Sequence, residues 1–290
     1  LERRGELVHR TELCDRVAVA LREWKPELLL ALECGSHPFL QDLPGDFPKL
    51  RKVAWLFDDP FYFESSAISN LRAFDALYTV DQSWVAPLKL AIGRPVAAMP
   101  LGADPDTYRP LALRGIRRQP IAFVGTSYRG HPAGLVRQEL LRHLAGFDLA
   151  IWGDGHWRGL VADGVDLGRC YRGGPIQPEK TNEVYNSADM VVNIHHPQIR
   201  HGTSLRTFAV CAAGAFQLVD WRPGLEESLE PGREVAAYRS GDDLAEQAAR
   251  YLADEPARTR IAAAGLARVR AEHTYVHRLR RIIEDLDLRI

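Results

Sequence analysis

The chain lacks the features that mark several large protein classes. Its net charge of −1 comes from 37 basic and 38 acidic side chains. That balance gives no support to nucleic-acid binding, which normally shows a basic excess or stripe. No apolar run approaches the roughly 20 residues that span a bilayer, and no signal peptide is recognisable. Cysteine is scarce and scattered: Cys14, Cys34, Cys170 and Cys211 show no C-x-x-C spacing. They read as buried free thiols of a reducing compartment, not as a metal site or disulfide frame. There is no G-x-x-x-x-G-K-[ST] and no G-x-G-x-x-G, which weighs against nucleotide triphosphate hydrolysis and dinucleotide redox chemistry. Low-complexity runs are absent too. What remains, at 46% hydrophobic and 26% charged residues, is an ordinary globular composition of one large or two modest domains. The expectation is a cytoplasmic protein.

Short apolar segments alternate with amphipathic ones. Strands are expected at Glu27–Leu32, Lys52–Phe57, Ala76–Val80 and Val96–Leu101, with helices at Glu6–Trp24, Ser65–Phe74 and Ser83–Ala91. A polar, arginine-rich stretch from Arg109 to Gln119 marks a boundary, giving domains 1–110 and 111–290. The pattern then restarts: strand Ile121–Gly125, helix Pro132–Ala145, strand Asp148–Trp152 and a glycine-rich stretch through Gly174. Helix Pro178–Ser187, strand Met190–His195, helix Thr203–Ala213 and strand Phe216–Asp220 follow, and three helices from Asp242 to Leu286 close the chain. Strands alternating with helices imply parallel sheets covered on both faces, so an α/β protein of two Rossmann-like domains is expected.

Ligands of open parallel sheets bind beyond the carboxyl ends of strands. That rule singles out His201-Gly-Thr-Ser-Leu-Arg206, a polar loop opening a small-residue helix. Its unpaired amides, with Thr203, Ser204 and Arg206, suit an anion. Asp220-Trp-Arg-Pro-Gly224 offers a second helix opening. Gly125-Thr126-Ser127-Tyr128-Arg129 is another phosphate candidate, because a glycine directly after a strand permits close backbone approach. Trp152-Gly153-Asp-Gly-His-Trp157 offers aromatic faces for a base or sugar. Asp58 and Asp59, or His37, stand where a general base belongs. His195, His196 and His201 do not make a zinc set, since adjacent strand residues point to opposite faces.

Four segments carry a family resemblance. They are Leu101-Gly-Ala-Asp-Pro-Asp-Thr-Tyr-Arg-Pro110, Ile121-Ala-Phe-Val-Gly125, Glu183-Val-Tyr-Asn-Ser-Ala-Asp-Met-Val-Val-Asn-Ile-His195, and the set Leu205-Arg-Thr-Phe, Ala213-Gly-Ala, Pro223-Gly-Leu-Glu-Glu and Glu272-His-Thr-Tyr. In this order they resemble the GT-B glycosyltransferases, closest to the CgeB-like spore-maturation group and more distantly to glycosyltransferase family 4. The resemblance implies two Rossmann-like domains facing a cleft, the first of them short, with the C-terminal helix crossing back. It implies a metal-independent hexosyltransferase without cofactor, moving sugar from a nucleotide-diphosphate donor to a hydroxyl acceptor. The donor-side residues would be Gly125, Thr126, Ser127, Arg129, Trp152, Gly153, His196, His201, Gly202, Thr203, Ser204, Leu205 and Arg206. Asp59, His37 and Asp58 would serve the acceptor. Family 4 enzymes carry a Glu-x7-Glu pair whose positions here are His201 and Ala209. A non-catalytic, sugar- or partner-binding relative is therefore the rival expectation, and a nucleotide-sugar epimerase a weaker one.

Overall fold

The computed structural model describes residues 10–32, 47–58, 68, 70–113 and 118–288. The chain divides into two compact units, Leu1–Pro100 with Leu286–Ile290, and Leu101–Asp285.

The first unit is built on a parallel sheet in the order β1-β2-β3-β4. Its strands are β1 (Leu28–Leu32), β2 (Arg51–Leu56), β3 (Ala76–Thr79) and β4 (Val96–Ala98). Helices Arg10–Trp24 and Val85–Ile92 accompany them, and Leu71–Ala73 forms a single 3-10 turn inside the expected Ser65–Phe74 helix. Ala54, Leu56, Leu71, Leu77, Trp84, Leu88 and Ile92 form its main core.

The second unit holds a parallel sheet in the order β12-β11-β10-β5-β6-β9. These strands are β5 (Gln119–Val124), β6 (Leu149–Trp152), β9 (Tyr171–Gly173), β10 (Ala188–Asn193), β11 (Gln217–Asp220) and β12 (Ala236–Tyr238). Between β6 and β9 lies a small antiparallel pair, β7 (Val161–Ala162) with β8 (Val165–Asp166). Along β10 the side chains alternate. Met190, Val192 and Ile194 enter a core with Leu141, Leu244 and Tyr251, whereas Val191 packs with Val184, Tyr185, Ala209 and Val210. Helices Pro132–Arg142 and Gly241–Ala253 thus cover one face, and Pro178–Ser187 and Leu205–Ala212 the other. The glycine-rich stretch and the short β12 were not resolved into strands by composition, because segments of two or three residues carry no periodicity.

The division falls at Pro100–Leu101, ahead of the boundary expected at Pro110. Leu101–Pro110 is fastened to the second unit by polar bonds. Ala103 pairs with Thr274, the Arg109 N–H donates to Asn182 Oδ1 at 3.2 Å, and Arg278 donates to the Leu101 carbonyl at 3.2 and 3.3 Å. The last helix, Tyr275–Asp285, belongs to the second unit, and the residues from Leu286 group with the first. No helix among the described residues is long and apolar enough to cross a membrane.

Candidate functional site

In the second unit the chain leaves β5 towards β6 and β9 on one side, then returns to β10 on the other. The switch point therefore lies between the carboxyl ends of β5 and β10, the crevice in which open α/β sheets bind ligands. A groove of about 570 Å³ at the opposite, amino ends, lined by Arg118, Tyr185, Asp189 and Arg258, lies away from this crevice.

Backbone forms the floor. Gly125 follows β5 and donates to the Trp152 carbonyl at 2.9 Å, while Gly153 follows β6 and donates to the Gly173 carbonyl at 2.9 Å. A Cβ on Gly153 would stand 2.1 Å from the Gly125 carbonyl oxygen, and one on Gly174 would stand 2.8 Å from the Gly153 nitrogen. Only glycine fits between these strand ends.

The loop after β5 departs from expectation in part. The Ser127 hydroxyl is buried and donates to Asp154 Oδ1 at 2.7 Å, and its N–H donates to Oδ2 at 2.6 Å. Ser127 is therefore a clip between two loops and not a free phosphate donor. Burial pushes the Asp154 carboxyl up, but hydrogen bonds from Ser127 and His156 more than offset it, leaving the group below its usual range. Thr126 and Arg129 are exposed. Trp157 is fully buried against Phe123 and donates to the Gly125 carbonyl at 2.9 Å, so it is a core residue and offers no stacking face. Trp152 is half-buried beside the core.

The loop after β10 splits its histidines as alternation requires. His195 is buried, with Nδ1 at 2.7 Å from Asp220 Oδ1 and Nε2 at 3.3 Å from Thr207 Oγ1. His196 is half-buried and packs edge-on to Tyr128, 5.0 Å between ring centres. His201 places Nε2 at 2.6 Å from Glu227 Oε1. Its carbonyl accepts the Gly224 N–H, so the second helix opening, at Pro223–Gly224, is already occupied by protein. Gly202 and Thr203 are buried, and Ser204 and Leu205 half-buried. The helix starts at Leu205, with Ser204 as its extended N-cap residue, yet the Ser204 side chain makes no capping bond. Both Thr203 Oγ1 and Ser204 Oγ are buried without a hydrogen-bond partner among the described residues.

Arg206 follows in the first turn. It donates to Asn193 Oδ1 at 3.4 Å and hydrogen-bonds Tyr185, whose hydroxyl burial pushes up and Arg206 pulls back down. Asn193 in turn donates to Thr207 Oγ1 at 3.1 Å and Gln217 Oε1 at 2.9 Å. Asp220 receives the His195 N–H at 2.8 Å and pairs through its other oxygen with Arg222 at 2.9 Å. Burial raises the Asp220 pKa, but His195 and Arg222 outweigh it and hold the carboxyl below its usual range.

Sequence reasoning missed Arg137, which is 4% exposed on the helix after β5. It occupies the buried stripe of that helix with Ala133, Gly134 and Leu141, and an arginine at core spacing was the available signal. Of the acceptor-side candidates, Asp58 is exposed in the bend after β2, and Asp59 and His37 lie outside the described residues. Among the described residues no group of three or more His, Cys, Asp or Glu could hold a metal ion.

A helix opening with orphaned hydroxyls at the switch point of a parallel sheet, in a chain of two α/β units, defines a class. The chain belongs to the glycosyl transferase-like family, whose model matches residues 135–284, and it has the GT-B glycosyltransferase fold. It is 24% identical over 246 residues to the spore protein CgeB of Bacillus subtilis, covering 79% of this chain and 72% of that one. In fold it is similar to the sucrose-phosphate synthase of Thermosynechococcus elongatus, with a TM-score of 0.65 at 14% identity over 95% of this chain and 77% of that one. Anabaena HepE, solved in complex with UDP, gives a TM-score of 0.65 at 16% identity over 95% and 82% of the two chains.

Proposed function

We propose that the protein is a hexosyltransferase that takes its sugar from a nucleoside-diphosphate donor held at the opening of the Leu205–Ala212 helix. One observation carries this reading: Thr203 and Ser204 bury hydroxyls that none of the described residues satisfies, at a helix start that already favours negative charge. A phosphate would supply their acceptors and take the first-turn amides as donors. The binding of UDP by HepE is consistent with such a donor. The buried thiols of Cys14, Cys170 and Cys211 fit a reducing compartment, and we place the protein in the cytoplasm.

In the reaction the acceptor hydroxyl oxygen bonds to the anomeric carbon as the bond from that carbon to the diphosphate oxygen breaks. Charge grows on the leaving diphosphate, where Arg206 and the helix opening stabilise it. The acceptor's proton passes to a base, which we assign to Asp59, with Asp58 and His37 as rivals. No step in this scheme calls on a metal ion.

Titration calorimetry against nucleoside diphosphates and their sugar conjugates tests the site. Arg206→Ala should weaken binding on the order of ten- to a hundredfold, the value of one charge-assisted hydrogen bond. Unchanged affinity would remove Arg206 from the site. A second reading, a non-catalytic sugar- or partner-binding protein, is favoured by Ala209, which is 2% exposed and offers ribose hydroxyls no carboxylate. Turnover of a nucleotide sugar that depends on Asp59 or His37 would exclude it.

A further inference from the structure

Arg137 has no ordinary structural explanation. Its guanidinium joins the two strand ends that flank the switch point, donating from Nη1 to the Thr126 carbonyl at 2.7 Å and from Nη2 to the Ile194 carbonyl at 3.5 Å. Nε is buried with no hydrogen-bond partner among the described residues. Among the described residues no carboxylate forms an ion pair with Arg137. Its other neighbours are the faces of Tyr128, 4.4 Å from the guanidinium carbon, and Phe123, at 5.7 Å. The Tyr128 side chain also hydrogen-bonds it and favours its charged form, and two full charges act on it. Arg206 repels it, and Asp220 attracts it but is already committed to His195 and Arg222. Burial first, and then Arg206, pull its pKa down to about 10, where it still carries its charge at neutral pH. A buried cation is costly unless a counter-charge compensates it, and two carbonyls and the Tyr128 side chain supply hydrogen bonds but no counter-charge. The surroundings make room for it: a Cβ at Gly125 would come within 3.3 Å of Nη1.

We propose that Arg137 is the counter-cation for the second phosphate of a bound diphosphate, so that the site reads two phosphates and not one. The inference rests on the donor-site reading above. In that arrangement one phosphate takes the Thr203–Leu205 helix opening, and the other lies over the β5–β10 crevice within reach of Arg137. The ligand supplies the negative charge that the protein withholds. A monophosphate satisfies the helix opening and leaves Arg137 uncompensated.

Inorganic pyrophosphate and orthophosphate separate these roles without knowledge of the nucleotide. The wild-type protein should bind pyrophosphate at least tenfold more tightly than orthophosphate at equal ionic strength. Arg137→Gln should bring the two affinities within about twofold of each other, mainly by weakening pyrophosphate, and Arg137→Lys should restore part of the difference. A purely structural brace would lower the melting temperature in Arg137→Gln and leave the ratio intact, which overturns the proposal. Should neither variant fold, the wild-type protein still decides. The Nε–H resonance of Arg137, assigned through its contacts with the Tyr128 ring, should move downfield on saturation with pyrophosphate, and a resonance that stays in place while pyrophosphate binds also overturns it. If the wild-type protein binds neither pyrophosphate nor any nucleoside diphosphate, the donor-site reading fails and takes this inference with it.

Discussion

Two groups of polar side chains share the β10–β11 end of the second unit, and they are treated in opposite ways. Asn193, His195, Thr207, Gln217 and Asp220 are buried and bonded to one another, down to the Gln217 amide, which donates to the Thr207 carbonyl at 2.9 Å. Around them, Thr203, Ser204, Arg137 and Arg222 each keep a buried polar atom without a partner among the described residues. A closed set of this kind rigidifies and specifies its surroundings, whereas buried polar atoms left unmet cost stability. The first group is scaffold. The second is where we propose that a ligand binds.

Removing a member of each group should therefore have opposite consequences. The largest effect is expected at Asp220. Asp220→Ala strips the carboxylate from His195 and Arg222 at once and should cost about 3–5 kcal/mol in urea unfolding. A loss below about 1 kcal/mol would mean that the network is ornamental and the contrast false. A second closed cluster sharpens the point. His273 accepts from Arg278 Nη2 at 2.8 Å through Nδ1 and bonds the Ser228 carbonyl at 2.9 Å through Nε2, so no lone pair is left for a proton. Burial, then the Arg278 charge, lowers its pKa from 6.5 to about 4. The unfolded chain therefore takes up a proton before the folded one does. Stability should fall as pH drops from 6.5 towards 4, by at most about 3 kcal/mol, and be insensitive to this group above that window. Comparing His273→Gln with wild type across the window isolates the contribution. The smallest effect belongs to the open set. Thr203→Val keeps shape and deletes the orphan hydroxyl, so stability should hold or rise by up to about 1 kcal/mol, while diphosphate affinity drops about two- to tenfold. A variant that loses stability and keeps its affinity would place Thr203 with the scaffold.

The architecture was legible because long apolar stretches such as Ala188–Asn193 and glycine-punctuated helices such as Leu205–Ala212 carry their periodicity within one segment. The opening of the Leu205–Ala212 helix was legible too, since Thr203, Ser204 and Arg206 stand together in sequence. What escaped was pairing over long separations. Ser127 looks like a phosphate donor until Asp154 is seen to claim it from 27 residues away. His201 looks uncommitted until Glu227 meets it from 26 residues away. Trp157 reads as a stacking surface beside glycines, and only the packing of Phe123 shows that it faces inward. Arg137 was invisible for the converse reason: a helix with Leu, Glu and Arg looks ordinary, and what sets this side chain apart is that it is buried with no carboxylate paired to it among the described residues.

The glycine seam at Gly125, Gly153 and Gly174 has a consequence for how such a site can change over evolution. A surface made of peptide groups presents the same donors and acceptors whatever substitutions occur around it, and here the 2.1 Å clearance at Gly153 forbids any side chain from growing into it. If the proposed donor site is right, new sugar preferences must then be written into the rim, in loops such as His196–Ser204, while this floor is kept constant by steric exclusion.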